Sequence, residues 1–185
     1  DVVREQFAND EDVVFMVEAS LSAITTLLIE NVDICVGIVF EGQASTNKTV
    51  ALDLLDDMSE LVVKVDEFTA AAWVTNVNNK SDDQRGQIHM LPKVKNKVFV
   101  TPDLAPMFSK GERESLKTLG QMTRIFDGQG LIRSAGTTGI VEMKGDYRFT
   151  MLAATTPITN MTYKLISKIG NRLLIVDSSS GNRTT

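Results

Sequence analysis

The sequence predicts an α/β fold: a mostly parallel central sheet flanked by helices, with one hairpin inserted into it. Three observations predict it. Apolar runs of strand length alternate with segments of helical period, the pattern of parallel strands covered on both faces. The run Ile34–Phe40 leads straight into a Gly-containing loop and then a helical segment. Late in the chain, the small polar stretch Ser134–Gly139 separates two short apolar runs, where a hairpin fits.

Element by element, Asn9-Asp10-Glu11-Asp12 is a helix start, followed by Val13, Val14, Val17, Leu21, Ile24, Leu27 and Leu28 at three- and four-residue steps. Ile34–Phe40 is a buried strand that includes the lone Cys35. Thr49–Met58 is a helix expected to turn Val50, Leu54 and Leu55 toward the sheet. Leu61–Val65 is a second strand, ended by Asp66-Glu67. Between Phe68 and Lys97 the pattern is weak, with a short helix over Ala70–Val77 and a polar loop over Asn78–Gly86. Val98–Val100 is a strand ending in Thr101-Pro102-Asp103, and Ser109–Phe126 is an amphipathic helix stopped by Asp127-Gly128. Leu131–Arg133 and Ile140–Met143 form the hairpin. Arg148–Ala154 is another buried strand, Thr159–Ile169 a helix closed by Gly170, and Leu173–Val176 a last strand.

The 185 residues fit one domain with a core of its own, and 43% hydrophobic with 23% charged residues is a globular composition. No apolar run reaches the ~18 residues of a membrane span, and no signal peptide is legible. One cysteine makes no internal disulfide, which fits a reduced, buried thiol and a cytoplasmic setting. The chain opens on Asp1 and closes on a Ser-rich tail, 178–185, as expected of a fragment whose folded core is 1–177. Charge is uneven along it. Residues 1–60 carry 2 basic and 13 acidic side chains, whereas 61–185 carry 17 and 11. The later part therefore has a basic excess that can face a polyanion or simply face water.

Gly42-Gln43-Ala44-Ser45-Thr46-Asn47-Lys48-Thr49, between the first strand and its helix, is spaced as the phosphate-binding loop G-x-x-x-x-G-K-[ST]. In that motif loop amides and the helix start face the phosphates, Lys adds a mobile charge, and the Thr hydroxyl binds Mg²⁺. Asn47 stands where the second Gly belongs, and Asn tolerates left-handed backbone better than most residues. ATP and Mg²⁺ are the ligands expected.

An NTPase also needs an acid near the metal and the attacking water. Val65-Asp66-Glu67 has the spelling of a Walker B strand end but lies 18 residues after Lys48, one helix away. Asp103, ending the next strand, lies 55 residues after Lys48 with a weaker spelling.

The order of loop, acid-ended strand, long helix, Gly-rich hairpin and a strand ending Ala153-Ala154-Thr155-Thr156-Pro157 resembles the AAA+ ATPases. Within them it is similar to the branch with a hairpin before the sensor-1 strand, which includes minichromosome-maintenance helicases and bacterial enhancer-binding activators. Asp103-Leu104-Ala105-Pro106-Met107 occupies the place of their post-Walker-B segment, and Gly170-Asn171-Arg172 precedes the last core strand as their arginine-finger segment does. The resemblance covers about residues 13–177. It implies that Lys48 holds the β- and γ-phosphates, Thr49 binds Mg²⁺ with Asp103 beside it, and Asp103 polarises the attacking water. It further implies that Thr156 senses the γ-phosphate and that Arg172 reaches a neighbouring subunit's nucleotide in a ring of like chains. Asp66 then falls on the far edge strand, where it caps a helix, pairs with a base or meets a partner. The small lid that usually follows the last core strand is not in these residues, so weak activity is expected of them alone. Two departures stand out: Thr101-Pro102 replaces the usual acidic pair, and Asp103 is shorter than Glu.

The functions this implies are a helicase-like motor on nucleic acid, a protein-remodelling or transcription-activating ATPase, and a degenerate nucleotide-binding module with little hydrolysis. Other residues are expected to be structural. His89 has no second ligand at metal spacing, and Trp73 suits a core better than base stacking. Arg124, Arg133, Lys144 and Arg148 sit on or beside the hairpin, where they either track phosphates or form its solvated surface. Arg172 is a finger, a partner of Asp177 or a strand cap.

Overall fold

The computed structural model describes residues 2–7, 10–32, 34–75, 88–109, 111–135, 139–168, 170 and 172–178. Its centre is a five-stranded sheet in the order β2-β3-β6-β1-β7, with every neighbouring pair parallel. The strands are β1 (Val36–Glu41), β2 (Val62–Lys64), β3 (Val98–Thr101), β6 (Thr150–Thr155) and β7 (Leu173–Asp177). A separate antiparallel ribbon pairs β4 (Gly130–Ala135) with β5 (Gly139–Lys144). The α/β class, the parallel sheet and the hairpin thus agree with the sequence reading. Among the described residues no helix is long and apolar enough to cross a membrane.

Alternate residues of the central strands feed two cores, as the two-residue period of a strand requires. Ile38, Phe40, Val98, Val100, Leu152 and Ala154 pack with α2 (Glu11–Thr25) and α3 (Lys48–Asp53). Val39, Phe99, Met151 and Ala153 face the other way, toward Trp73, Phe126 and Phe149. That side is built from α4 (Ala70–Trp73), α5 (Met90–Val94), α6 (Ala105–Ser109), α7 (Glu112–Phe126) and α8 (Asn160–Ser167). A short α1 (Val2–Gln6) precedes them all. Trp73 is fully buried, with its ring 5.4 Å from Phe99 and 5.8 Å from Phe149. His89 is buried too and accepts the Thr75 amide on Nδ1 at 3.0 Å. Both are core residues.

Several expectations need correction. Leu21 was expected to face the core but is 47% exposed, while Ser20 and Ala23 are buried. Small residues let α2 lie close on the sheet, close enough for Thr150 Oγ1 to donate to Ala23 O at 3.2 Å. The first strand begins at Val36, leaving Ile34 65% exposed and Cys35 buried just ahead of it. The helix after the loop stops at Asp53, not Met58, and Val50 and Leu54 face outward while Ala51, Leu52 and Leu55 are buried. Asp53 and Asp56 turn toward Lys64 Nζ, at 2.6 and 2.7 Å, as the chain leaves helical hydrogen bonding for three-residue turns.

The helix expected over Ser109–Phe126 is two helices broken at Gly111, whose φ of +86° suits glycine. Met90–Val94 is a helix that the weak pattern did not show, and the polar loop expected over Asn78–Gly86 lies outside the described residues. Arg148, expected in a strand, instead donates to the carbonyls of Leu27, Ile29 and Val32 at 2.8–3.0 Å. These carbonyls belong to the short 3₁₀ turn and the loop that follow α2. The sixth strand consequently starts at Thr150.

Candidate functional site

The loop from Gly42 to Thr49 leaves β1 at its carboxyl end, inside the sheet between β6 and β7. Carboxyl ends of parallel strands are where α/β sheets gather ligands, at the loops that lead into the crossover helices. The loop begins with Gly42 N donating to Thr155 O at 3.2 Å, which prolongs the β1–β6 ladder by one bond. Gly42 has no room for a side chain: a Cβ there would stand 2.0 Å from Ser178 Oγ. Two residues then adopt left-handed backbone, Ser45 (φ +68°) and Asn47 (φ +52°). Asn47 thus takes the conformation for which the motif uses glycine.

Lys48 follows at the start of α3. Its ammonium folds back over the loop, donating to Gly42 O at 2.8 Å, Gln43 O at 2.7 Å and Thr46 Oγ1 at 2.8 Å. Lys48 is only 9% exposed. Burial lowers its pKa below the ordinary 10.5, and the negative charge of Asp103 pushes the other way. Asp103 and the loop lysine therefore share one electrostatic environment.

They also share one cleft, of about 320 Å³. Its walls are the loop from Ala44 to Val50, then Pro102 and Asp103 after β3, and Thr155 and Thr156 at the end of β6. Lys48, Thr49, Asp103 and Thr156, four residues expected on the sequence to act at a nucleotide, thus line a single cleft, and all but Lys48 are exposed there. Asp103 Oδ1 accepts the Ala105 amide at 2.8 Å, which leaves Oδ2 without that duty. Among the described residues no three His, Cys, Asp or Glu cluster as a metal cage. Mg²⁺ is commonly bound by one or two carboxylates with phosphate oxygens and water, rather than by such a cage.

Arg172 lies elsewhere. It precedes β7, and Gly37 N donates to its carbonyl at 3.2 Å, which places it at the amino end of β1. Its guanidinium pairs with Asp127. Asp66, beyond the edge strand β2, does not line the cleft. Of the hairpin bases, Arg133 donates to Val74 O at 2.8 Å, and Lys144 pairs with Glu142.

Three residues of the site were not singled out from sequence. Ser178 is buried beside the loop, donating from its amide to Glu41 O at 2.8 Å and from Oγ to Thr46 Oγ1 at 3.2 Å. Thr155 is buried, and among the described residues its hydroxyl has no partner. Asp10 receives Asn47 Nδ2 at 2.7 Å. The helix-cap signal at Asp10 was legible, but its reach to a loop 37 residues away was not. Compared with models of known protein families and with curated proteins, the chain matches none.

Proposed function

We propose that this chain is an ATP-binding and hydrolysing motor domain of the AAA+ type, acting as a ring of like subunits on nucleic acid. The observation that carries the reading is the cleft in which Lys48 and Thr49 of the loop meet Asp103 and Thr156. The strand order adds support. The strand that Asp66 follows, β2, is at the far edge of the sheet, as the AAA+ resemblance implies.

In this reading Lys48 exchanges its loop oxygens for phosphate oxygens, turning three neutral acceptors for a charged one. Bound Mg²⁺ supplies charge neutralisation at the phosphate oxygens. Thr49 offers its hydroxyl to the metal, Asp103 orients and polarises the attacking water, and the Thr156 hydroxyl donates to the terminal phosphate. Arg172 works across a subunit boundary. The basic excess after residue 60 and the β4–β5 ribbon, with Ile132 and Ile140 exposed, suit contact with a threaded strand.

A second reading is a module that binds nucleotide and hardly hydrolyses it. Its support is the Asp103–Ala105 bond, which commits one carboxylate oxygen to the backbone.

The test is a titration of a fluorescent ATP analogue with Mg²⁺ into the wild type and Lys48→Ala. The variant should bind at least 10-fold more weakly, in keeping with about 1.5–3 kcal/mol for a charged hydrogen bond. Equal affinity removes the assignment. In a longer chain that includes the lid, binding without turnover in the presence of single-stranded DNA or RNA favours the second reading.

A further inference from the structure

We propose that Asp10 is a positioning residue of the phosphate loop, fastening it to the amino end of α2 through Asn47. The inference rests on the loop being a nucleotide site. Its starting point is the one residue of the loop that departs from the motif. Asn47 has the left-handed backbone that glycine would adopt at no steric cost. What asparagine adds is a side chain, and that side chain is used: Nδ2 donates to Asp10 Oδ2 at 2.7 Å.

The acceptor is itself held. Asp10 Oδ1 takes the Val13 amide at 3.1 Å, closing the first turn of α2, and the Asp10 amide donates to Phe7 O at 2.8 Å. One carboxylate therefore caps a fifteen-residue helix with one oxygen and holds the loop with the other. The next residue back, Thr46, accepts from Ser178 Oγ at 3.2 Å. Adjacent residues of the loop are thus tied to the start of α2 and to the end of β7. Asn47 directly precedes Lys48, so the tie sets where the lysine leaves the backbone. A loop held in its binding shape loses less conformational freedom when a ligand arrives.

Two variants separate the tie from the helix cap. Asp10→Ser keeps a good cap but is too short to reach Asn47. Asn47→Gly keeps the left-handed backbone and removes the donor. The tie predicts an effect of unusual sign. Removing an acid near an anionic ligand ordinarily tightens binding, whereas Asp10→Ser should weaken it.

The first measurement uses no nucleotide. The Ala51 amide, which donates to Asn47 O at 3.0 Å, reports on the loop–helix junction by hydrogen exchange. Asp10→Ser and Asn47→Gly should each exchange faster there than wild type, with the double variant no faster than either. The second measurement is the affinity for the fluorescent ATP analogue with Mg²⁺. Each variant should bind roughly 3- to 10-fold more weakly, the worth of one hydrogen bond, and the double should match the singles. Glu11→Ser, which removes an exposed acid in the same turn, should bind no more weakly than wild type. Unchanged Ala51 exchange overturns the proposal. So does faster exchange with unchanged or tighter binding in Asp10→Ser. Faster exchange in both variants, with a wild type that binds no nucleotide, keeps the tie and removes the nucleotide reading.

Discussion

Arg172 grips Asp127 through two nitrogens, with Nε at 2.9 Å and Nη2 at 2.7 Å from the same Oδ1. The pair joins the residue before β7 to the residue that ends α7. It stands at the amino end of β1, a strand-length of about 20 Å from the loop at the other end. Arg172 therefore lies at the end of the sheet opposite its own chain's cleft.

Arg172→Ala should separate structure from catalysis. The pair is partly exposed, so its loss should cost less than about 1 kcal/mol in stability. An arginine acting in trans is worth about 10³–10⁵ in rate. Arg172→Ala should then bind nucleotide as wild type does but turn it over very slowly, while Asp127→Ala, which breaks the same pair, should retain most activity. Mixing Arg172→Ala with Lys48→Ala at assembling concentrations should restore part of the turnover. Equal losses in Arg172→Ala and Asp127→Ala would make the pair structural.

Asp103 and Asp66 make opposite predictions. Asp103 lines the cleft and shares the field of Lys48. Asp103→Asn should lower kcat by about 10²-fold or more, the usual worth of a positioned acid or base. Asp66→Asn should leave steady-state turnover within about twofold, since exposed changes away from a site have small effects. The reverse result would move the catalytic acid to the edge strand.

Gly42 should tolerate no side chain. A Cβ would meet Ser178 Oγ at 2.0 Å and Thr46 Oγ1 at 3.0 Å. Gly42→Ala should lower thermal stability by about 1–3 kcal/mol, the range for overpacking. Adding Ser178→Gly should recover much of this by removing the closest atom. No recovery in the double variant would show that the strain lies in the backbone.

Tyr163 should ionise late. It donates to Glu41, and that bond, then burial, then the charges of Glu41 and Asp177 raise its pKa from 10.0 to about 12. Between these values the folded chain keeps a proton that the unfolded chain loses. The resulting stability is complete below pH 10 and disappears as pH rises through 12. Tyr163 is 41% exposed, so solvent screens the effect and absorbance is the better measure. An alkaline titration of Glu41→Gln should show one phenol ionising earlier than in wild type.

Cys35 should be chemically silent. It is 1% exposed, and burial raises its pKa to about 11. A thiol reagent at pH 8 should react only after unfolding, because the thiolate is the nucleophile. Rapid reaction in the folded state would place Cys35 at an accessible surface.

The element order was legible because it depends on local pattern: apolar runs for β1 and β3, a helix start at Asp10, a Gly-rich break for the hairpin. The loop from Gly42 to Thr49 was legible for the same reason, since its spacing is contiguous in the chain. Helix phase was not. Leu21, Val50 and Leu54 carry the hydrophobic signal yet face outward, while Ser20, Ala23 and Ala51 are buried beside Leu52 and Leu55.

Partnerships between distant residues were also beyond the sequence. A guanidinium before β7 could choose among several acids, and the fold gave Arg172 to Asp127, not to the nearer-numbered Asp177. Arg148 was withdrawn from its strand by carbonyls more than a hundred residues away. The sequence by itself determined the α/β class, the loop and the candidate lysine and threonine, all of which reside in short stretches. Tertiary structure alone decided that Asp103 shares their cleft, that Arg172 lies at the other end of the sheet, and that Asn47 has a partner. The first two depend on which strands lie side by side and the third on how α2 packs on the loop, and chain-distant pairing leaves no local pattern to read.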